Sequence, residues 1–177
     1  MRLRPAEPED LTLLQHWDEQ PHLREVGGDE DFNDWDWQNQ LGRRVPWREM
    51  LIAEDESDGS RPIGFIQIID PAREETHYWG EVLENLRAID IWIGEQSEIG
   101  KGHGRQMMTL AIERCFATTN VMAILIDPMS TNTRAHRFYE AMGFRFVERR
   151  RFGPDDCLVY KLERADWRQK AEPCPTS

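Results

Sequence analysis

The stretch from Arg87 to Ile126 constrains the fold more than any other part of the chain. A β-rich run, Ala88-Ile89-Asp90-Ile91-Trp92-Ile93, leads to a glycine-rich turn, Gly100-Lys101-Gly102-His103-Gly104. The turn runs straight into a helix expected over 102–118, with Met107, Met108, Ala111, Ile112 and Cys115 on one face, and a continuous apolar strand follows over 121–126. A glycine turn that opens a helix presents backbone N–H groups and the positive end of the helix dipole to one point. That arrangement suits a pyrophosphate.

A second block extends the first. Asp127-Pro128 ends the apolar strand, Thr131 or Asn132 is placed to cap a helix that carries Tyr139, and Gly143 stops that helix. Upstream, residues 3–5 read as a strand, and residues 7–20 as a helix in which Leu11, Leu14 and Trp17 recur at helical spacing. A short helix is expected around 34–43, and strands over 47–54 and 61–70 form a hairpin across the polar turn Asp55 to Ser60. Residues 71–86 are a polar, acidic insertion, residues 145–151 and 157–162 read as a closing strand pair, and the tail after Arg164, with two prolines, reads as loose. At 177 residues the chain suits one domain, expected over 1–165 with a flexible end over 166–177.

Charge narrows the partner. The balance of 22 Lys plus Arg against 33 Asp plus Glu gives a net charge of -11, which disfavours nucleic acid and anionic membrane and suits a cationic ligand. Three cysteines, Cys115, Cys157 and Cys174, show no CxxC spacing, so neither a disulfide framework nor a zinc site is indicated and a cytoplasmic setting fits. No apolar h-region follows Met1-Arg2-Leu3-Arg4-Pro5, and no run of about 18 apolar residues occurs, so the expectation is a soluble, unexported protein. No G-x-S-x-G, P-loop or metal-spaced histidine set is present.

The order of these elements resembles the GNAT superfamily of N-acetyltransferases, over roughly residues 2–163. Within it, residues 87–94, the turn at 100–104, and Asp127-Pro128 with Asn132, Arg134, Ala135, Tyr139 and Gly143-Phe144 look like the aminoglycoside 6′-N-acetyltransferases. The resemblance implies an α/β (α+β) fold with a central mixed, mostly antiparallel sheet flanked by helices, whose splayed central strands hold acetyl coenzyme A as cosubstrate without a metal. It also implies a polycationic aminoglycoside as acceptor and a monomer or homodimer. One departure stands out: the usual cofactor signature has Gln or Arg where this chain has Ile99. Backbone N–H groups at the helix start can hold the phosphates without that side chain.

Acetyl transfer from a thioester to an amine needs a neutral amine, a carbonyl held against it, and stabilisation of the leaving thiolate. Asp90 lies in an apolar run, where a carboxylate should face a cleft or a cation. By resemblance it binds the reacting amine and accepts its proton; otherwise it is a strand-end aspartate bonding a loop amide. Asp127, at a strand's C-terminal end, would contact a second amine, or serve as an ordinary turn aspartate. Tyr139 would face the coenzyme sulfur as acid or hydrogen-bond donor, the alternative being a core aromatic.

Further assignments carried by the resemblance put Ile91, Trp92 and Ile93, the residues Gly100, Lys101, Gly102, His103, Gly104 and Arg105, and Asn132, Arg134, Ala135 and Tyr139 on the cofactor. Glu75, Tyr78 and Trp79 are candidates for the substrate rim, with the two aromatics as flat surfaces for sugar rings and Glu74, Glu81 and Glu84 as further acids. The cluster Asp29, Glu30, Asp31, Asp34 and Asp36, interleaved with Trp35 and Trp37, could form the opposite wall. The rivals are a GNAT enzyme acting on hydroxylysine, a polyamine or a protein N-terminus, and a non-catalytic binding module. Related siderophore enzymes usually carry Glu where this chain has Asp127.

Overall fold

The computed structural model describes residues 1–25 and 36–171. The expected acidic wall at 29–35 lies outside the described residues. Seven strands form one sheet: β1 (Arg2–Pro5), β2 (Arg48–Asp55), β3 (Arg61–Ile69), β4 (Leu86–Ile93), β5 (Ala123–Ile126), β6 (Arg145–Phe152) and β7 (Asp155–Glu163). They lie in the order β1-β2-β3-β4-β5-β7-β6. Only β4 and β5 pair in parallel; every other neighbouring pair is antiparallel, as the mixed-sheet expectation required.

Strand alternation sorts the apolar residues onto two faces. Leu51, Ala53, Ile66 and Ile68 pack with Ile89 against α4 (His103–Ala117) and α5 (Thr133–Met142), which contribute Met107, Met108, Ala111, Ile112 and Tyr139. Ile52 and Phe65, one residue out of phase, pack on the other face against α1 (Leu11–Asp18), α2 (Pro21–Arg24) and α3 (Trp37–Leu41), through Leu14, Trp17, Leu23, Trp37 and Leu41. Asp90 has the parity of Trp92, which packs with this second cluster, and so belongs to the α1–α3 face. A third cluster seats Trp79, from the irregular segment between β3 and β4, against Ala88, Leu125, Phe152, Cys157 and Val159.

Gly94 shows how closely α1 sits on the sheet. A Cβ at this position would lie 2.0 Å from the Trp17 indole, so no other residue lets that helix dock where it does.

The helix expected over 7–20 is shorter. Glu7 and Asp10 make a reciprocal capping box around a 3₁₀ turn at Pro8–Asp10, α1 then ends at Asp18, and Pro21 opens α2. The larger correction is at the C-terminus, where Arg164–Ala171 forms α6 instead of a loose tail. Arg164 explains it: its guanidinium donates to the carbonyls of Phe116, Thr118 and Val121, at 2.8, 2.6 and 2.6 Å. It therefore ties α6 to carbonyls at and just beyond the end of α4, and Trp167 packs on the larger core cluster. No described helix is long and apolar enough to cross a membrane.

Candidate active site

The parallel pairing of β4 with β5 covers only Leu86↔Ala123, Arg87↔Ile124 and Ala88↔Leu125. Beyond Ala88 the two strands part, which is the splay implied by the resemblance. Asp90 and Ile91 lie just past the parting on β4, Asp127 follows β5, and the N-terminal half of α5 stands beside both. A cleft of about 450 Å³ opens there and brings together Asp90, Asp127, Tyr139, Asn132, Ala135 and Trp92.

Each of the expected site side chains has a local reason for its position. Asp90 lies directly opposite Gln67 on β3, whose Nε2 donates to its Oδ2 at 2.9 Å. Gln67 is buried, and its own Oε1 has no hydrogen-bond partner among the described residues. Asp127 accepts from the Tyr78 hydroxyl at 2.7 Å, and the Tyr78 ring lies parallel to Phe152 at 4.4 Å. Tyr139 is held by α5, which Asn132 caps through the Ala135 N–H at 3.1 Å and Gly143 closes at φ +102°. Burial, and then the charges of Asp90 and Asp127, push the Tyr139 phenol above its ordinary range, so it stays an O–H donor.

The segment between β3 and β4 is organised by a residue that was only a rim candidate in the sequence. Glu74 is buried, and its two carboxylate oxygens accept the N–H groups of Thr76 at 2.7 Å and Tyr78 at 3.0 Å. It thereby aims Tyr78 at Asp127. Glu75 is exposed and paired with Arg43 at 2.5 Å. Trp79 borders the cleft but is only 3% exposed and wedged in the third core cluster, so it is a foundation for Tyr78 and not an open platform for a sugar. An apolar ring in a polar stretch signalled burial; which side it would bury was not readable.

Two acids of the cleft escaped the sequence reading. Asp18, at the end of α1, accepts from the Trp37 indole N–H, and burial raises its carboxyl above the usual range. An acid in the last turn of a helix opposes the helix dipole, which was an available signal. Asp155, buried at the start of β7, also lines the cleft. It hid in an ordinary-looking turn, Gly153-Pro154-Asp155-Asp156.

The glycine turn lies apart from this cleft, at the start of α4. Gly100 and Gly102 take φ of +82° and +89°, values that favour glycine, and a Cβ at either would meet nothing within 4 Å. Open space over the turn, with the first-turn amides of α4 behind it, fits a pyrophosphate. The side chains of Lys101 and His103 reach instead for Glu98, at 3.0 and 3.1 Å. His103 Nδ1 is buried without a partner among the described residues. Arg105 and Arg134 are exposed on the first turns of their helices, Ile91 and Trp92 line the cleft, and the Ile93 carbonyl lies 2.9 Å from His22 Nε2. Among the described residues no group of three or more His, Cys, Asp or Glu is placed to hold a metal ion.

Comparison with known proteins agrees with this geometry. Residues 7–152 match the acetyltransferase (GNAT) domain family. An aminoglycoside N(6′)-acetyltransferase type 1 of Klebsiella pneumoniae is 30% identical over 145 residues, covering 80% of this chain and 72% of that one. The lysine N-acyltransferase MbtK of Mycobacterium tuberculosis is 24% identical over 156 residues, covering 82% of this chain and 69% of that one. Among solved structures, AAC(6′)-Ib in complex with ribostamycin and coenzyme A superposes with a TM-score of 0.86 at 25% identity, covering 97% of this chain and 98% of that one. By the match over 7–152 and a sheet that parts where a thioester could enter, the chain belongs to the GNAT acetyltransferase family.

Proposed function

We propose that this protein transfers an acetyl group from acetyl coenzyme A to the 6′-amino group of aminoglycoside antibiotics, by direct attack in a ternary complex, and so confers resistance to them. The observation that carries this reading is the convergence of Asp90, Asp127 and Tyr139 on one cleft whose other charged residues are mostly acids. Six carboxylates, those of Asp18, Glu74, Glu75, Asp90, Asp127 and Asp155, line it against the two guanidinium groups of Arg43 and Arg48. A compact polycation matches that balance. The likeness to an enzyme named for the same reaction supports it.

Acetyl coenzyme A, when bound, supplies an activated thioester carbonyl. Asp90, fixed by Gln67, orients the 6′-ammonium and takes its proton directly or through one water, which frees the nitrogen lone pair. A C–N bond then forms as the C–S bond breaks, and the nitrogen gives up its second proton to solvent, leaving the neutral amide. Tyr139 stabilises the departing sulfur by donating a hydrogen bond. Its raised pKa keeps that donor in place and makes complete proton transfer to the sulfur less favourable, so the thiolate takes its proton from solvent. Asp127, with Tyr78, anchors a second amine. A carboxylate and an ammonium about 4 Å apart interact by roughly 4 kcal/mol at an effective dielectric near 20, before desolvation is subtracted.

The test is free thiol release from acetyl coenzyme A with kanamycin, tobramycin, a 6′-hydroxyl aminoglycoside, spermidine, hydroxylysine and an alanine-terminal peptide. Turnover with the 6′-amino sugars and none with the 6′-hydroxyl compound is expected. Activity confined to hydroxylysine, spermidine or the peptide would replace the substrate. Saturable binding without thiol release would make the protein a binding module.

A further inference from the structure

Glu98 ends a 3₁₀ turn, Gln96–Glu98, just before the glycine turn. Its side chain is 8% exposed, and three cationic or protonatable groups from different places close on it. Lys101 Nζ and Arg61 Nη1 lie 3.0 and 3.2 Å from Oε1, and His103 Nε2 lies 3.1 Å from Oε2. The Lys101 hydrogen bond, with the hydrogen bond and charge of Arg61, holds the carboxyl below its usual range despite burial. Two of these partners flank Gly102, while the third belongs to β3 and also binds Asp58 at 2.6 Å.

We propose that Glu98 is the positioning residue of the phosphate-binding turn: a single buried carboxylate that grips the chain on both sides of Gly102 and fastens it to the sheet through Arg61. Glycine loses more conformational freedom than any other residue when ordered, and this turn orders two glycines at positive φ. A turn left to itself would lose that freedom only on binding, at the expense of affinity. Glu98 removes the freedom beforehand. The chain has Ile99 where the resemblance implies a long polar side chain, and the contacts of Glu98 with Lys101 and His103 order the loop instead. The inference rests on the reading that this turn holds coenzyme A.

The test measures coenzyme A binding by titration calorimetry, and backbone amide hydrogen exchange over residues 100–106 in the ligand-free protein. The wild type is compared with Glu98→Gln, Glu98→Ala and Lys101→Met, and with Arg4→Met as a stability control whose ion pairs, to Asp10 and Glu54, include neither Glu98 nor its partners. Expected are about tenfold weaker binding in Glu98→Gln and a larger loss in Glu98→Ala. KM for acetyl coenzyme A should rise in parallel while KM for the aminoglycoside holds, and exchange should quicken at 100–106 alone. Arg4→Met should lower the melting temperature without moving the dissociation constant. Folded Glu98 variants that bind within twofold of wild type, with unchanged exchange, would overturn the proposal. A wild type that does not bind coenzyme A would overturn the cofactor reading instead, and the exchange measurement would still decide whether Glu98 orders the turn.

Discussion

The two sides of the site are each organised around one buried glutamate, but they are held differently. On the side proposed to hold the cofactor, Glu98 gathers the side chains of Arg61, Lys101 and His103 around a turn that leads into α4, a helix of 15 residues. On the substrate side Glu74 gathers backbone N–H groups inside a segment with no regular structure, where His77 and Gly80 take φ of +53° and +64°. A helix start presents the same amides for any occupant. An irregular loop can be reshaped residue by residue, so specificity has room to vary on that side without disturbing the glycine turn.

That contrast can be broken from the centre outward. The largest effect is expected at Asp90, which belongs to neither clamp: Asp90→Asn should cut kcat by 10²- to 10⁴-fold while leaving coenzyme A affinity intact, measured by steady-state kinetics beside calorimetry. Tyr139→Phe should follow, lowering kcat by about 10- to 100-fold with little change in either KM. Equal kinetics in either variant would remove that residue's role. Glu74→Gln should then raise KM for the aminoglycoside by about tenfold without moving KM for acetyl coenzyme A, the reverse of the Glu98 variants. If both KM values move together, the two sides are not independent. Gly102→Ala should destabilise the protein by about 1–2 kcal/mol through its left-handed backbone, read as a lower midpoint in urea. Smallest of all, Arg43→Gln removes an exposed ion pair with Glu75 and should change KM by less than about twofold.

The same division separates what was legible in the sequence from what was not. The sheet, α4 and α5 declared themselves because apolar periodicity and glycine position are local signals, and Asp90, Asp127, Tyr139 and Asn132 sit at the ends or on the faces of those elements. The link from Tyr78 to Asp127 spans 49 residues, and the face on which Trp79 buries is set largely by Leu125, Phe152, Cys157 and Val159, 46 to 80 residues further on, which no local pattern encodes. Asp18 and Asp155 reach the cleft only because α1 and β7 converge on it from opposite ends of the chain. The helix at Arg164–Ala171 was hidden for a similar reason, since what orders it is a guanidinium on three carbonyls of α4 and the residues after it.

The short parallel pairing between β4 and β5 has a mechanical side. Among the described residues, three paired positions are the whole of the strand ladder between a four-stranded plate, β1 to β4, and a three-stranded one, β5, β7 and β6. A sheet seamed so narrowly should fail first along that line, with the plates hinging apart before either one frays. A molecule wedged into the gap then acts as a strut as well as a reactant, and the protein between turnovers would be the looser of its two forms.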